Sequence, residues 1–340
     1  MNKIQQEDIR TFAESFVLSD SLAGARFMIT GATGLIGSTL VHCLLALNKG
    51  IEITCPVRNI EKAKSMYEEA FDKVRFVECD LLAYLNGLCT DDCFQYIVHC
   101  ASPTAGKYMT EHPVETYLLA IDTTKAILEY ARKANSKGVV YVSSLEYYGQ
   151  NFDDSIITED KLGYVDGTDP RSSYPLGKRA AEYLCAAYAK EYGVNSMIAR
   201  LTQTFGAGVS PDDNRVFAQF ARSIIAGKDI VLHTTGESAK PYCYTTDCIS
   251  AILYILLKGE AGEAYNVANE KTYISIRHMA EFLCSEFNPN CKVVLDLHDD
   301  MGYAPVTKLN LSADKLQALG WSPKYGFKEM FDRLINSING

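Results

Sequence analysis

No stretch of this 340-residue sequence approaches the ~20 uninterrupted apolar residues that a membrane-spanning helix requires. The opening MNKIQQEDIRTF lacks the basic start and continuous apolar run of an export signal, so a cytoplasmic protein is expected. Basic charge is in short supply. Against 42 Asp and Glu stand 33 Lys and Arg, and the net charge of -9 excludes a general attraction to nucleic acid. An anionic ligand would need a local basic pocket. The 11 cysteines form no CxxC ladder and no compact framework; they read as free thiols packed in a reducing compartment, and no metal is expected. Internal repeats and low-complexity tracts are absent as well. What is left is the composition of an ordinary globular chain, 47% hydrophobic and 22% charged, with enough apolar content for two lobes.

Residues 1–24 form a lead-in in which Ile4, Ile9, Phe12 and Phe16 recur at roughly helical spacing, predicting a helix within 4–18 that packs on the body. From Arg26 the sequence alternates short apolar runs with helical patterns. RFMIT reads as a strand, 35–47 as a helix and IEITCPV as a second strand, followed by VRFVECD, YIVHCAS, a long helix over 114–134, GVVYVSS, a helix over 174–192 and NSMIARL. This order predicts an α/β protein: a Rossmann doubly wound parallel sheet over 25–205. Regularity is lost around 206–214, so the boundary is placed at Gly206, and 206–340 is expected to form mainly a smaller C-terminal α/β substrate-binding lobe. A helix at 216–226, a strand DIVLH and a helix at 247–257 are predicted within it.

In FMITGATGLIGSTL, Gly31, Gly34 and Gly37 fall between the first strand and the first helix. Glycines there let the backbone turn sharply and bring amides onto a pyrophosphate, which makes 31–37, with Thr33, Leu35 and Ile36, the expected dinucleotide turn. The second strand ends in Pro56, Val57, Arg58 and Asn59, without the acid that usually meets a ribose 2′-hydroxyl. Arg58 suits a 2′-phosphate, but it also suits a solvated surface residue or a stacker on adenine; NAD and NADP both stay open, with the balance toward NADP. Asp80 and Leu81, ending the third strand, are placed at the adenine, and Ala101 and Ser102, after the fourth, beside the cofactor. His99, inside an apolar strand, reads as a satisfied core residue.

SSYPLGKRAAE places Tyr174 and Lys178 four residues apart on one helix face. A phenol with a pKa near ~10 is a poor base at neutral pH, but an adjacent ammonium and a cationic nicotinamide favour its phenolate, so Tyr174 is the expected base during hydride transfer and Lys178 the group that holds the ribose. In VSSLEYYG, Ser144 is placed to hydrogen-bond the reacting oxygen and Glu146 to face a sugar ring.

Together these motifs resemble the extended short-chain dehydrogenase/reductase family of nucleotide-sugar epimerases, dehydratases and decarboxylases, from about Arg26 to Trp321. DPRSSYPLGKRAAE, RLTQTFGAG, DDNRVFAQF and GESAKPYCYTTD are most similar to the UDP-glucuronate decarboxylases. The resemblance implies substrate contacts from Arg171, Gln203 (where the family has asparagine), Arg215 (a grip on the nucleotide diphosphate) and Lys240 (where the family has arginine). A surface salt bridge is the alternative for Arg171 and Arg215. It also implies oxidation of a nucleotide sugar at C4, with decarboxylation, 4-epimerisation or NADPH-dependent reduction of a keto sugar as outcomes, and a homodimer built on the helices at 114–134 and 174–192. Three departures stand out. Leu145 replaces the aspartic acid of 4,6-dehydratases and cannot donate a proton, Lys240 lacks the planar fork of arginine, and Ala120 replaces an asparagine. A non-catalytic sensor of nicotinamide redox state is the alternative from another class, against which the retained Tyr174, Lys178 and Ser144 argue.

Overall fold

The computed structural model describes residues 1–103, 106–297 and 306–339. Helix α1 (Lys3–Ser15) opens the chain, followed by β1 (Arg26–Thr30), α2 (Leu35–Ala46), β2 (Glu52–Val57), α3 (Ile60–Tyr67), β3 (Arg75–Glu78), α4 (Leu81–Gly87), β4 (Tyr96–His99), α5 (Gly106–Glu111), α6 (Pro113–Ala134) and β5 (Gly138–Ser144). Then come β6 (Ile156–Ile157), α7 (Ser173–Tyr192), β7 (Ser196–Leu201), β8 (Gln203–Phe205), α8 (Val216–Ile225), β9 (Ile230–Leu232), β10 (Ala239–Tyr244), α9 (Thr245–Lys258), β11 (Ala264–Val267), β12 (Asn269–Ser275) and α10 (Ile276–Phe287). The last described elements are β13 (Val293–Leu295), β14 (Asn310–Leu311), α11 (Asp314–Gln317) and α12 (Phe327–Asn339).

The main sheet has the strand order β11-β7-β5-β4-β1-β2-β3, parallel throughout. Strands covered on both faces read as continuous apolar runs, and β1 buries Phe27, Met28 and Ile29 completely. The order reverses between β1 and β4, and the crevice at the carboxyl ends of those two strands is where an open α/β sheet binds its ligand. One face of the sheet is covered by α2 and α9 in a core with Phe27, Leu40, Val98, Ile252 and Tyr265. On the other face α6 and α7 lie over Met28, Ile97, Val139 and Ile198.

A second core gathers Phe205, Phe217, Tyr242, Met279 and Phe331 around the three-stranded sheet β12-β10-β8. The division at Gly206 does not hold as a clean cut. α9 packs on β5 and β7, and β11 pairs in register with β7, Ala264 opposite Ile198 through Val267 opposite Leu201. The chain therefore leaves the main sheet after β7, builds most of the second lobe, and returns to complete the sheet edge. β11 is only four residues long, AYNV, too short for periodicity to mark it.

The lead-in is docked, as its spacing suggested. Asn2 caps α1 in a reciprocal box with Gln5, and Phe12 packs into the first core. Asp8 is buried, accepts from the Tyr244 hydroxyl at 2.5 Å and from Arg333 Nε at 2.6 Å, and so joins α1 to β10 and α12.

Candidate active site

The glycine turn is sterically closed. Gly31 lies at φ +71, and a side chain there would meet the backbone of Cys100 and Ala101 at 2.8 Å; a Cβ on Gly37 would lie 2.3 Å from the Gly31 carbonyl oxygen. The Tyr67 hydroxyl donates to the Ala32 carbonyl at 2.8 Å from outside the turn, and Gly34 N–H donates to Gly31 at 3.0 Å within it. Gly34 is the N-cap of α2 and offers no side-chain acceptor, so the first-turn amides of α2 face outward at the positive end of the helix dipole. Backbone amides on a cradle that only glycine can form fit a dinucleotide pyrophosphate. Thr33 is partly exposed within the turn; Leu35 packs against the second core and Ile36 against the first, which puts the turn at the seam between lobes.

Arg58 is exposed just past β2, and among the described residues no carboxylate pairs with it. Asn59 is occupied in capping α3, its side chain accepting from Lys62 N–H at 2.8 Å. Asp80 caps α4, one carboxylate oxygen accepting from Ala83 N–H at 2.9 Å, while Leu81 packs on the α6 and α7 core. Ala101 N–H donates to the Thr30 hydroxyl at 3.1 Å, fixing the segment after β4 against β1. His99 lies between Thr30 (2.7 Å) and Thr123 (3.0 Å), and burial pushes it down to about 3. A neutral, doubly bonded imidazole is a core group, as read from the sequence.

Tyr174 and Lys178 sit in the first two turns of α7, which Pro170–Ser172 introduces as a 3-10 turn capped by Asp169. Lys178 is buried, donates to the Val142 carbonyl at 2.8 Å, and holds its ammonium 5.4 Å from the centre of the Tyr174 ring. Burial pushes this amine down to about 8, against the opposing pull of Glu182. Burial also pushes the Tyr174 phenol up to about 12, with the Ser144 and Ser102 hydroxyls drawing it back. The amine donates to Val142, and desolvation is the largest influence on the phenol.

Ser144 ends β5 and accepts from Glu146 N–H at 3.2 Å. Leu145 is buried with Tyr148, Ile157, Ala268, Leu309 and Leu311 in an apolar cluster, so no acid can act from this position. Glu146 is exposed and acts electrostatically on both Tyr174 and Lys240. Lys240, on β10, is lowered by burial and supported by Glu146. Gln203 on β8 is level with Tyr242, two residues beyond Lys240, so the two substrate candidates share a small sheet. Arg171 lies on the turn before Tyr174. Arg215, the N-cap of α8, is held by Asp213, with Nη2 at 2.6 Å from the carboxylate and Nη1 at 3.4 Å from the Thr204 carbonyl.

Sequence reasoning missed a buried polar chain behind the pair. Ser143 donates a short hydrogen bond to Glu182, Arg200 grips the same carboxylate at 2.8–3.2 Å, and Arg200 Nη1 donates to the Tyr148 hydroxyl at 3.0 Å. Tyr148 in turn donates to Asn266 at 2.6 Å. One signal was available: Glu182 follows Lys178 by one helical turn, so it had to share that buried face. Among the described residues no cluster of three or more His, Cys, Asp or Glu could hold a metal.

Residues 27–268 match the family model described as "NAD dependent epimerase/dehydratase family". The chain belongs to that family. Curated relatives of this chain include UDP-glucuronic acid decarboxylase 6 of Arabidopsis thaliana, 27% identical over 89% of this chain and 86% of the relative. The dTDP-D-glucose 4,6-dehydratase of Bos taurus is 24% identical over 95% and 91%. Among solved structures, a UDP-glucose 4-epimerase from Thermotoga maritima with UDP-glucose superposes with a TM-score of 0.79 at 20% identity, covering 92% of this chain and 98% of that one. A UDP-glucuronic acid 4-epimerase from Bacillus cereus in complex with NAD gives 0.72 at 20% identity over 92% and 98%. These structures show the Rossmann-type fold of the extended family. The chain is an enzyme of this nucleotide-sugar-modifying family, and no described helix is long and apolar enough to cross a membrane.

Proposed function

We propose that this epimerase/dehydratase oxidises a nucleotide sugar at C4 and that its preferred outcome is decarboxylation of a nucleotide-linked uronic acid. The observation that carries the choice is local: Leu145 is sealed into an apolar cluster, while Glu146 acts electrostatically on both Tyr174 and Lys240. Without an acid at 145, elimination of the C6 hydroxyl lacks its proton donor. A C5 carboxylate needs no such donor. Once C4 is a ketone, the bond from C5 to the carboxylate carbon C6 breaks as carbon dioxide leaves, and its electron pair is left on C5 as the C4–C5 enolate, which takes one proton at C5.

When bound, a nicotinamide would supply the hydride acceptor for C4 and positive charge beside the phenol. Tyr174 removes the C4 hydroxyl proton and later gives it back, and Ser144 holds that oxygen. Lys178, buried beside Tyr174, would hold the ribose of the bound cofactor. Glu146 and Lys240 face the sugar carboxylate end, while Arg171, Gln203 and Arg215 hold the nucleotide diphosphate. Arg215 is released from Asp213 to do so, an exchange of one charge-assisted pair for another. Residues 31–37, Asp80, Leu81, Ala101 and Ser102 form the dinucleotide site, and 206–340 supplies most of the substrate side. Arg58, with no acid beside it at the end of β2, supports NADP as the preferred cofactor.

Incubation of the purified protein with a panel of nucleotide sugars, each with NAD and with NADP, should yield from the uronic acid a product lighter by one carbon dioxide with no net cofactor consumed. A product of unchanged mass would replace this reading with epimerisation, and stoichiometric NADPH consumption would replace it with keto-sugar reduction.

The enzyme is further proposed to work as a homodimer in the cytoplasm. α6 and α7 cross where Ala120 faces Gly177, a Cβ on which would come within 3.2 Å of the alanine methyl; this accounts for a small residue at 120. Their outer side leaves Val114 70%, Leu118 47% and Tyr183 72% exposed, a cost in water that a second copy would remove. Leu118→Glu combined with Tyr183→Glu is expected to halve the mass measured by light scattering while leaving the circular dichroism spectrum unchanged.

A further inference from the structure

Two hydroxyls, an imidazole and an amide at the end of β4 form a chain in which each proton has one place to go. Thr30 and His99 stand opposite each other on the last rung of the β1–β4 ladder, and Thr123 meets them from α6. All three side chains are buried, Thr30 and Thr123 completely. The Thr123 hydroxyl donates to the Leu119 carbonyl at 2.6 Å, since a carbonyl can only accept, so its oxygen takes the hydrogen of His99 Nε2 at 3.0 Å. Burial keeps the imidazole neutral, which leaves Nδ1 as an acceptor. The Thr30 hydroxyl fills it at 2.7 Å, and the Thr30 oxygen in turn accepts from Ala101 N–H at 3.1 Å. With the ring proton on Nδ1 instead, Nε2 and the Thr123 oxygen would face each other as two acceptors, and the Thr30 hydroxyl would lose its own.

We propose that His99 is a positioning residue for the cofactor: fixed as its Nε2–H tautomer by Thr123, it orients the Thr30 hydroxyl so that the Thr30 oxygen holds the backbone of Cys100–Ser102 beside the glycine turn. The proposal rests on the reading of Ala101 and Ser102 as part of the dinucleotide site. The tolerance there is small. The Cys100 carbonyl carbon and Ala101 N lie 2.8 Å from where a Cβ on Gly31 would stand, so this segment closes directly over the turn. The next residue, Ser102, bears on the Tyr174 phenol. The Tyr141 ring, tilted by 48° with its centre 5.6 Å from that of the imidazole, packs against His99 from β5. Released from Thr30, the amide of half-buried Ala101 can regain a partner by turning to water, and that rotation carries the segment off its seat over Gly31.

NMR of the histidine ring nitrogens in the full chain, with the His99 signals identified by their loss in His99→Gln, is expected to show a protonated Nε2 and a bare Nδ1. The Nδ1–H tautomer overturns the proposal, and this measurement on the wild type depends on no variant at Thr30. Thr30→Val keeps the branched shape that suits a strand and removes only the hydroxyl. Its affinity for NAD and for NADP, measured by calorimetry, is expected to fall by about tenfold or more, while Thr30→Ser, which restores the hydroxyl, stays within about twofold of the wild type. Binding by Thr30→Val equal to that of the wild type overturns the proposal, and so does a serine variant that falls as far as the valine. Gly37→Ala, which lies outside this chain of hydrogen bonds, is the reference: undiminished affinity there means that the cofactor site itself is misread, and the proposal falls with it.

Discussion

Tyr174→Phe is expected to lower turnover by about 10²–10⁴-fold while leaving NAD binding and thermal stability close to those of the wild type. The ring stays, so the cation–π contact of Lys178 at 5.4 Å and the packing at the start of α7 are kept. What disappears is the hydroxyl that Ser144 and Ser102 address, the group proposed to exchange a proton with the C4 oxygen. Ser144 is not left stranded, because it still accepts from Glu146 N–H. Single-turnover reduction of bound dinucleotide, followed by absorbance, separates the hydride step from binding. Full turnover in this variant would end the case for Tyr174 as base.

Gly37→Ala is expected to be nearly as damaging by a different route. In most helices alanine is preferred to glycine by up to about 1 kcal/mol, so propensity alone would make the change favourable. Here the new methyl would lie 2.3 Å from the Gly31 carbonyl oxygen, 2.7 Å from its carbon and 3.0 Å from Ala32 Cα, all backbone atoms that cannot rotate away. Overpacking of this kind costs about 1–3 kcal/mol, and the turn can accommodate it only by opening the cradle on which the amides depend. Since about 1.4 kcal/mol corresponds to a tenfold change, dinucleotide affinity should drop by about 5- to 10²-fold, together with a lowered melting temperature. Gly24→Ala makes an instructive contrast: it has φ +64 but nothing within 4 Å, so it should cost only backbone strain and leave affinity intact.

The geometry of the glycine turn and of the Tyr174–Lys178 pair was legible because each is local. The turn at 31–37 is announced by its own glycines between a strand and a helix, and Tyr174 and Lys178 announce each other across one turn. β1 to β5, β7 and the helices α2, α6 and α7 appear where periodicity placed them, within a few residues, while α3, α4 and α5 were not foreseen. The parts that were not legible depend on distant partners. AYNV at 264–267 becomes a strand because β7 offers a free edge, which no property of those four residues declares. Asp8 looks like one acid among many on α1 until Tyr244 and Arg333 arrive from the far end of the chain. Arg200 likewise hides in a strand that otherwise reads as core, since a charged residue there makes sense only once Glu182 is known to face it. The surroundings of Tyr174 were hidden for the same reason: spacing puts an ammonium nearby, but only the structure shows that ammonium donating to Val142 and the phenol deeply desolvated.

The late return of β11 to the main sheet bears on how the polypeptide is made. β7 is complete at Leu201, yet the partner for its outer edge begins only at Ala264, more than sixty residues later. At ribosomal speeds of roughly 5–20 residues per second, an apolar parallel strand spends several seconds with its amides and carbonyls unclaimed. Such an edge is a template for a neighbouring nascent chain, so crowding on the translating message, more than the thermodynamics of the finished molecule, sets the moment of greatest aggregation hazard for this enzyme.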